Sequence, residues 1–175
     1  KILVFGAGSI GNHMTFASLK LKINVSITDI NSNALTRMRN QIFPKRYGKW
    51  NNKIKLIDYN KVFNTKNLFD LIIIGTPPKT HLEVFKKIRK NLKFKKILIE
   101  KPIANFKDKK INNYLRNFNK KNNNIFCGYN HSINNSFKFF YNKMNKNKFP
   151  LDNIIVKWKE NWTGILGAHP WLKNE

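Results

Sequence analysis

Short apolar segments alternate with polar, lysine-rich connections along most of the chain. Continuous apolar runs of about four to eight residues predict buried strands, and apolar positions three or four apart predict helices. The strand-like runs are residues 1–5, 23–28, 53–59, 69–74, 96–99 and 125–129, with helical patterns between several of them. Strands that alternate with helices predict an α/β fold on a Rossmann-type, doubly wound parallel sheet.

The first strand leads directly into Gly6-Ala7-Gly8-Ser9-Ile10-Gly11, which opens a helix. A G-x-G-x-x-G turn between a strand and a helix is typical of dinucleotide binding, because the phosphates lie on unpaired N–H groups at the helix N-terminus. Gly6 allows the tight turn, Gly8 the approach of a pyrophosphate, and Gly11 close helix packing. The apolar stripe of this helix is expected to be Ile10, Met14, Ala17 and Leu21.

Asp29 stands at the end of the second strand, about 20 residues beyond the glycines, where an acidic side chain accepts a hydrogen bond from the ribose 2′-hydroxyl. This position favours NAD as the cofactor. Arg37 lies on the helix predicted after Asp29 and leaves NADP open, because a cation near the ribose would suit a 2′-phosphate.

Two further turns are expected at the same edge of the sheet. Gly75-Thr76-Pro77-Pro78 ends the most apolar strand, and Thr80-His81-Leu82-Glu83 then predicts a capping box. His81 is interpreted either as part of the cofactor cleft or as an ordinary solvated residue of the first turn. Lys101, in Glu100-Lys101-Pro102, is the candidate catalytic residue, because ligands bind at the carboxyl ends of such strands and Pro102 restricts its backbone.

The remaining chain is less regular. Residues 41–52 contain Pro44 and Gly48 and predict a surface loop. Residues 151–162 alternate between apolar and polar positions, which is typical of a sheet with one solvated face. We therefore expect a first domain at residues 1–122 and the beginning of a second, open-sheet α/β domain at residues 123–175.

The formal net charge of +25 raises nucleic acid as a partner. The lysines, however, are spread over nearly every segment, and arginine occurs only at positions 37, 39, 46, 89 and 116. Lys, Asn, Ile and Phe are all abundant and all have A/T-rich codons, so a biased genome accounts for the excess more simply. We expect no specific nucleic-acid binding and keep a basic nucleic-acid module as a lesser alternative.

Other features bear on the class of protein. Cys127 is the only cysteine, which excludes an intrachain disulfide and is interpreted as buried filler. No apolar run approaches the length that spans a bilayer, and no signal peptide or metal-ligand pattern is present, so a cytoplasmic protein without membrane attachment is expected. The chain opens directly on a strand without Met, and we expect it to be a fragment of a longer protein.

Four blocks of this sequence together resemble the Gfo/Idh/MocA oxidoreductase family. They are, in order, the glycine turn at residues 6–11, the turn at residues 75–81, the triplet at residues 100–102, and Gly128-Tyr129-Asn130-His131. The resemblance implies an N-terminal NAD(P)-binding domain and a second domain that shapes the substrate site and an oligomer interface. It further implies a dehydrogenase or reductase that transfers hydride between the nicotinamide and a CH–OH group of a sugar, sugar nucleotide or inositol.

By the same resemblance, Lys101 would hydrogen-bond the reacting oxygen and assist proton transfer. The residues expected at the cofactor are Gly6, Gly8, Ser9, Ile10, Gly11, Asp29, Thr76, Pro77, His81, Glu100, Lys101 and Asn130. A sugar-like small molecule is the expected substrate, and a homo-oligomer is expected for the full-length protein.

The sequence departs from the family pattern at two places. Ser132 stands where many relatives carry Arg, and the family's distal motif with its catalytic His would lie beyond residue 175. His169 lies in a short tail similar to that of sugar-modifying members and is interpreted as an ordinary loop histidine. A non-catalytic member that binds the dinucleotide as a sensor or structural ligand therefore stays open as the alternative.

Overall fold

The computed structural model describes residues 1–103, 113–114, 117, 124–129, 134–147, 155, 157, 163–164 and 167. The chain divides into two units, Lys1–His131 and Ser132–Glu175. The described strands all belong to the first unit, which also contains the candidate site. None of the described helices combines the length and the apolar character that a membrane-spanning segment requires.

The first unit is built on one sheet of six parallel strands. They are β1 (Ile2–Phe5), β2 (Val25–Asp29), β3 (Lys55–Asp58), β4 (Leu68–Ile74), β5 (Lys93–Ile99) and β6 (Ile125–Cys127). Their order across the sheet is β3-β2-β1-β4-β5-β6. The order reverses between β1 and β4, which is the switch point where open α/β sheets bind ligands. The predicted Rossmann-type, doubly wound sheet is confirmed.

Helices connect the strands and cover both faces of the sheet. Within residues 1–103, the helices are α1 (Ser9–Lys20), α2 (Ser32–Arg37), α3 (Phe43–Arg46), α4 (Tyr59–Val62) and α5 (His81–Asn91). A π-helical turn at Met38–Ile42 joins α2 to α3, and a 3-10 turn at Pro78–Thr80 precedes α5. In the second unit, α6 spans Asn135–Asn147, where the spacing of aromatic residues predicts a helix.

Two apolar cores lie on opposite faces of the sheet, because successive strand residues point to opposite sides. In β1, Leu3 and Phe5 belong to one core with Phe85 of α5. Ile2 and Val4 belong to the other, with residues of β2, α2 and the following turns. The central strands are therefore buried on both faces, which explains their nearly continuous apolar sequences.

The strand register aligns the residues that follow each strand. Phe5 pairs with Thr28 on one side and with Ile74 on the other. Ile74 in turn pairs with Ile99, and Ile99 with Cys127. Each of the next residues, which are Gly6, Asp29, Gly75, Glu100 and Gly128, therefore lies one position beyond the same row at the carboxyl edge of the sheet.

The buried face of α1 differs from the expected apolar stripe. Ala17 and Leu21 are exposed, and Ile10 and Met14 are only half-buried. The buried positions are instead small or polar: Gly11, Asn12, Thr15 and Ser18. The Thr15 and Ser18 hydroxyls donate to main-chain carbonyls four residues earlier, so their polar groups are satisfied within the helix. Small side chains allow α1 to approach the sheet closely, and apolar periodicity does not detect this kind of contact.

The prediction of a surface loop at residues 41–52 is wrong for residues 41–46, whereas residues 47–52 are irregular and mostly exposed. The π-helical turn and α3 occupy much of this segment, and Phe43 is fully buried. Its ring packs against Tyr47 and Trp50 with centroid distances of 5.1 and 5.0 Å. Tyr47 also stacks on Phe16 of α1 at 4.6 Å. Aromatic packing against the sheet thus stabilises helical structure despite Pro44 and Gly48.

The expected domain boundary between residues 122 and 123 also needs correction. Residues 125–127 form β6, which pairs with β5 in the Rossmann sheet, and the two units meet after His131. The predicted strand at residues 151–162, apart from Ile155 and Lys157, lies outside the described residues, as do Ser132 and His169. The role of the second unit in substrate binding and oligomerisation stays a prediction.

Candidate functional site

Two glycines of the first turn are required by the backbone itself. Gly6 has φ +98°, and a β-carbon there would lie 2.8 Å from the carbonyl oxygen of Gly75. A β-carbon on Gly11 would lie 1.7 Å from the carbonyl oxygen of Gly6. The turn after β1 therefore contacts both the turn after β4 and the first turn of α1, and no larger residue fits at either position.

Gly8 has a different environment. A β-carbon at Gly8 would meet no heavy atom within 4 Å, so the space beside it is open. Gly8 is the N-cap of α1 and gives no side-chain hydrogen bond, and the first turn contains no acidic residue. The backbone N–H groups of a first helical turn, here at Ser9 and Ile10, lack intrahelical partners. A helix N-terminus without a side-chain cap, beside open space, is suited to a phosphate group.

Asn12 fixes the shape of this turn. Its side-chain Nδ2 donates to the carbonyl oxygens of Ala7 and Gly8, at 2.8 and 2.6 Å. Asn12 is 3 % exposed, and its Oδ1 has no hydrogen-bond partner among the described residues. Asn12 is not among the residues that the sequence predicts at the site. Its only sequence signal is a polar residue immediately after the third glycine.

Asp29 also holds the turn. Its Oδ2 accepts a hydrogen bond of 2.6 Å from the backbone N–H of Ala7, and its Oδ1 accepts one of 2.8 Å from Asn31. The side chain is half-buried, and Ile30 beside it is 80 % exposed. The carboxylate thus lies next to the glycine turn. An ionised carboxylate has about four lone-pair sites, so these two bonds leave capacity for a ribose hydroxyl.

The turn after β4 is closed by internal hydrogen bonds. The Thr80 hydroxyl donates either to Thr76 Oγ1 at 2.9 Å or to the carbonyl oxygen of Pro77 at 2.7 Å. Thr76 is half-buried and Pro77 exposed. The predicted capping box is wrong, because Thr80 is already helical and its side chain bonds backwards instead of capping α5. A 3-10 turn precedes the helix and changes the direction in which the Thr80 side chain points.

His81 is buried, with 1 % of its surface exposed. Its interpretation as a solvated first-turn residue is therefore wrong. Nε2 lies 2.7 Å from the carbonyl oxygen of Thr76, and Nδ1 lies 3.3 Å from that of Ile103. The ring lies between the turn after β4 and the segment after β5.

The two ionisable side chains of the segment after β5, Glu100 and Lys101, lie in different environments. Lys101 is exposed, and the Lys101–Pro102 peptide bond is cis. Glu100 is only 7 % exposed, and its carboxylate faces Gly128, where a β-carbon would lie 2.7 Å from Oε1. Burial, with the nearby Glu100 charge, also raises the pKa of the Cys127 thiol.

The structure brings most of the predicted residues to one edge of the sheet. Gly6, Gly8 and Asp29 form one connected turn, and Thr76 lies in the adjacent turn, which contacts it through Gly75. Glu100 belongs to the interior and faces Gly128 instead of the open surface. Asn130 lies outside the described residues.

The comparisons with known proteins agree with this geometry. Residues 1–129 match the Gfo/Idh/MocA family, described as an oxidoreductase family with an NAD-binding Rossmann fold. No curated protein matches the chain in sequence.

Solved structures show the same fold at low identity. An apo scyllo-inositol dehydrogenase from Lactobacillus casei aligns with a TM-score of 0.58 and 17 % identity over 84 % of this chain and 41 % of its own. A myo-inositol dehydrogenase from Corynebacterium glutamicum aligns with a TM-score of 0.58 and 21 % identity over 86 % of this chain and 42 % of its own. Biliverdin reductase from Synechocystis sp., in complex with biliverdin and NADP+, aligns with a TM-score of 0.56 and 11 % identity over 83 % of this chain and 42 % of its own. The chain thus spans about two fifths of the length of these structures.

Proposed function

The chain belongs to the Gfo/Idh/MocA family of oxidoreductases, and we propose that it binds NAD at the glycine turn and serves hydride transfer with a sugar-like or inositol-like substrate. The observation that carries this proposal is the alignment of the turns. Gly6, Asp29, Gly75 and Glu100 each follow the same row of paired strand residues, so the predicted cofactor turns and Lys101 lie at one carboxyl edge. Open α/β sheets bind ligands at this edge.

The residues present fit a dinucleotide. The open space at Gly8 and the uncapped N-terminus of α1 would receive the pyrophosphate, on the N–H groups of Ser9 and Ile10. Asp29 would accept from a ribose hydroxyl, which supports NAD over NADP. Thr76 and Pro77 would line the nicotinamide side, because their turn lies across the switch point from the glycines.

Lys101 would act on the substrate. Bound NAD supplies the hydride acceptor or donor. The Nζ of Lys101 would hydrogen-bond the reacting oxygen and hold the proton that this oxygen loses on oxidation or gains on reduction. Its exposed side chain and its buried, anchored neighbour Glu100 are suited to this role, since the backbone is fixed while the amine reaches outward.

The substrate class rests on the family and on the names of two similar folds, both inositol dehydrogenases. The third, a biliverdin reductase, acts on a different kind of molecule with the same fold, so the Rossmann unit alone does not select the substrate. We propose that the second unit and further sequence complete the substrate site and form an oligomer interface.

Cofactor binding is tested by titrating the chain with NADH and NADPH while following nicotinamide fluorescence and the melting temperature. We expect saturable binding with NADH preferred. Asp29→Ser should reduce that preference. Asp58→Ser is the matched control, because Asp58 ends the adjacent strand β3 and accepts hydrogen bonds from Asn60 and Lys61 in the first turn of α4. A folded chain that binds neither dinucleotide would refute the proposal.

The catalytic role of Lys101 is tested in the full-length protein with a panel of sugars and inositols. Lys101→Met should lower turnover by about 10² to 10⁴, the usual contribution of a general acid or base, while NADH still binds. Lys79→Met, at an exposed lysine of the neighbouring turn, is the control. Unchanged turnover in Lys101→Met would exclude this role, and NADH binding without turnover in the wild type would favour the non-catalytic alternative.

A further inference from the structure

The His81 ring joins two turns that the proposed function uses separately. One of its carbonyl partners is Thr76, in the turn expected at the cofactor. The other is Ile103, two residues after the candidate catalytic Lys101. With 1 % of its surface exposed, His81 is not available to a ligand and acts through these contacts.

The two contacts of the His81 ring with carbonyl oxygens differ in strength. A carbonyl oxygen only accepts, so each ring nitrogen must carry a proton to form a hydrogen bond with its partner. The Nε2 contact with Thr76, at 2.7 Å, is shorter than the Nδ1 contact with Ile103, at 3.3 Å. The Ile103 contact is therefore the weaker of the two.

The backbone around Lys101 is held from both sides. On the N-terminal side, the Lys101 N–H donates to Glu100 Oε2 at 3.2 Å, and Glu100 is itself buried. On the C-terminal side, the Ile103 carbonyl rests on the His81 ring. Between these two anchors, the exposed Lys101 side chain is the part left to move.

We propose that His81 is a positioning residue that couples the Thr76 turn to the Lys101–Ile103 segment. The inference rests on the proposed function of Lys101 and adds a residue that touches neither cofactor nor substrate. His81 sets where the backbone of Lys101 lies relative to the turn that would hold the nicotinamide side.

Three substitutions separate the two contacts. In His81→Gln, the amide nitrogen approximates Nε2 and keeps a donor for Thr76. In His81→Asn, the amide nitrogen approximates Nδ1 and keeps a donor for Ile103. His81→Leu keeps apolar volume and removes both. The backbone carbonyl ¹³C resonances of Thr76 and Ile103 report each hydrogen bond directly, and amide exchange of Lys101 and Ile103 reports the order of the segment.

For His81→Leu we expect both carbonyl resonances to shift and exchange of Lys101 and Ile103 to rise about tenfold or more, as for a segment that opens locally. Gln should restore only the Thr76 resonance, and Asn should restore the Ile103 resonance and the slow exchange. A folded Leu variant with unchanged Ile103 resonance and exchange would overturn the proposal. If the Leu variant does not fold, identical Ile103 behaviour in Asn and Gln would overturn it.

These spectra are recorded without dinucleotide, so they test the coupling independently of cofactor binding. NADH titration of the same samples then tests the proposed function. Intact coupling in a wild-type chain that binds no NADH would refute the proposed function and leave the positioning contact standing. Normal NADH binding with no change at Ile103 in any variant would refute the positioning role alone.

Discussion

A β-carbon on Gly11 would lie 1.7 Å from the carbonyl oxygen of Gly6, so α1 rests directly on the backbone of the turn before it. Gly8, in the same motif, has no heavy atom within 4 Å of that position. The glycines of one short motif therefore serve different purposes. Gly11 is needed for the fold, and Gly8 leaves room for a ligand.

Substitution by alanine should separate these purposes. Gly11→Ala forces α1 away from the sheet and should lower the free energy of unfolding by about 3 kcal/mol, as overpacking of a tight contact does. Gly8→Ala should stay within about 1 kcal/mol of the wild type, the range of N-cap substitutions, yet weaken NADH binding about tenfold. Urea unfolding and NADH titration of both variants check this. Equal stability losses, or full NADH affinity in Gly8→Ala, would contradict it.

Gly128 and Glu100 should be energetically coupled. A β-carbon on Gly128 would lie between 2.7 and 3.0 Å from the carboxyl atoms of Glu100, which is buried and has little space to retreat. Gly128→Ala should cost about 1 to 2 kcal/mol, and this cost should largely disappear in a Glu100→Ala background. Urea unfolding of the two single variants and the double variant gives the coupling energy. Additive effects would show that the two groups do not press on each other.

Phe43 should behave as a core residue, although the sequence predicts a loop there. Its ring is fully buried and packs against Tyr47 and Trp50. Phe43→Ala should therefore lower the free energy of unfolding by about 3 to 5 kcal/mol. Lys45→Ala, at an exposed position of the same short helix, should change it by less than about 0.5 kcal/mol. A small effect of Phe43→Ala in thermal and urea unfolding would return this segment to the surface-loop interpretation.

Asp70 predicts a specific acid dependence of stability. The hydrogen bond and the charge of Lys95 hold the pKa of Asp70 below its usual value of 3.8. Because the folded pKa lies below the unfolded one, the stabilisation is present above about pH 4 and is lost as the pH falls toward 2.

Asp70→Asn removes this contribution. Its melting temperature should lie below that of the wild type by a constant amount above about pH 4, and the gap should close toward pH 2. Added salt should narrow the gap, because both partners are exposed. A difference in melting temperature that stays constant down to pH 2 would show that the charge of Asp70 does not contribute to stability.

The framework of this protein follows from the pattern of its sequence. Apolar runs locate the strands, and the residues just beyond them, such as Asp29 and Lys101, are thereby predicted at the ligand-binding edge. This works because a parallel strand buried on both faces has an apolar sequence that ends where the strand ends. Parallel strands then bring all their carboxyl ends to one side, so position along the chain predicts position at the site.

The tertiary structure decided which face of each element is used and which polar groups are buried. The fully buried residues of α1 are Gly11, Asn12, Thr15 and Ser18, and at Gly11 the carbonyl oxygen of Gly6 leaves no room for a side chain. His81 and Glu100 are buried because carbonyl oxygens and Gly128, contributed by other segments, are close enough to receive them. Local periodicity reports which side chains favour burial, whereas the clearance between two backbones and the partner of a buried polar group depend on residues distant in sequence.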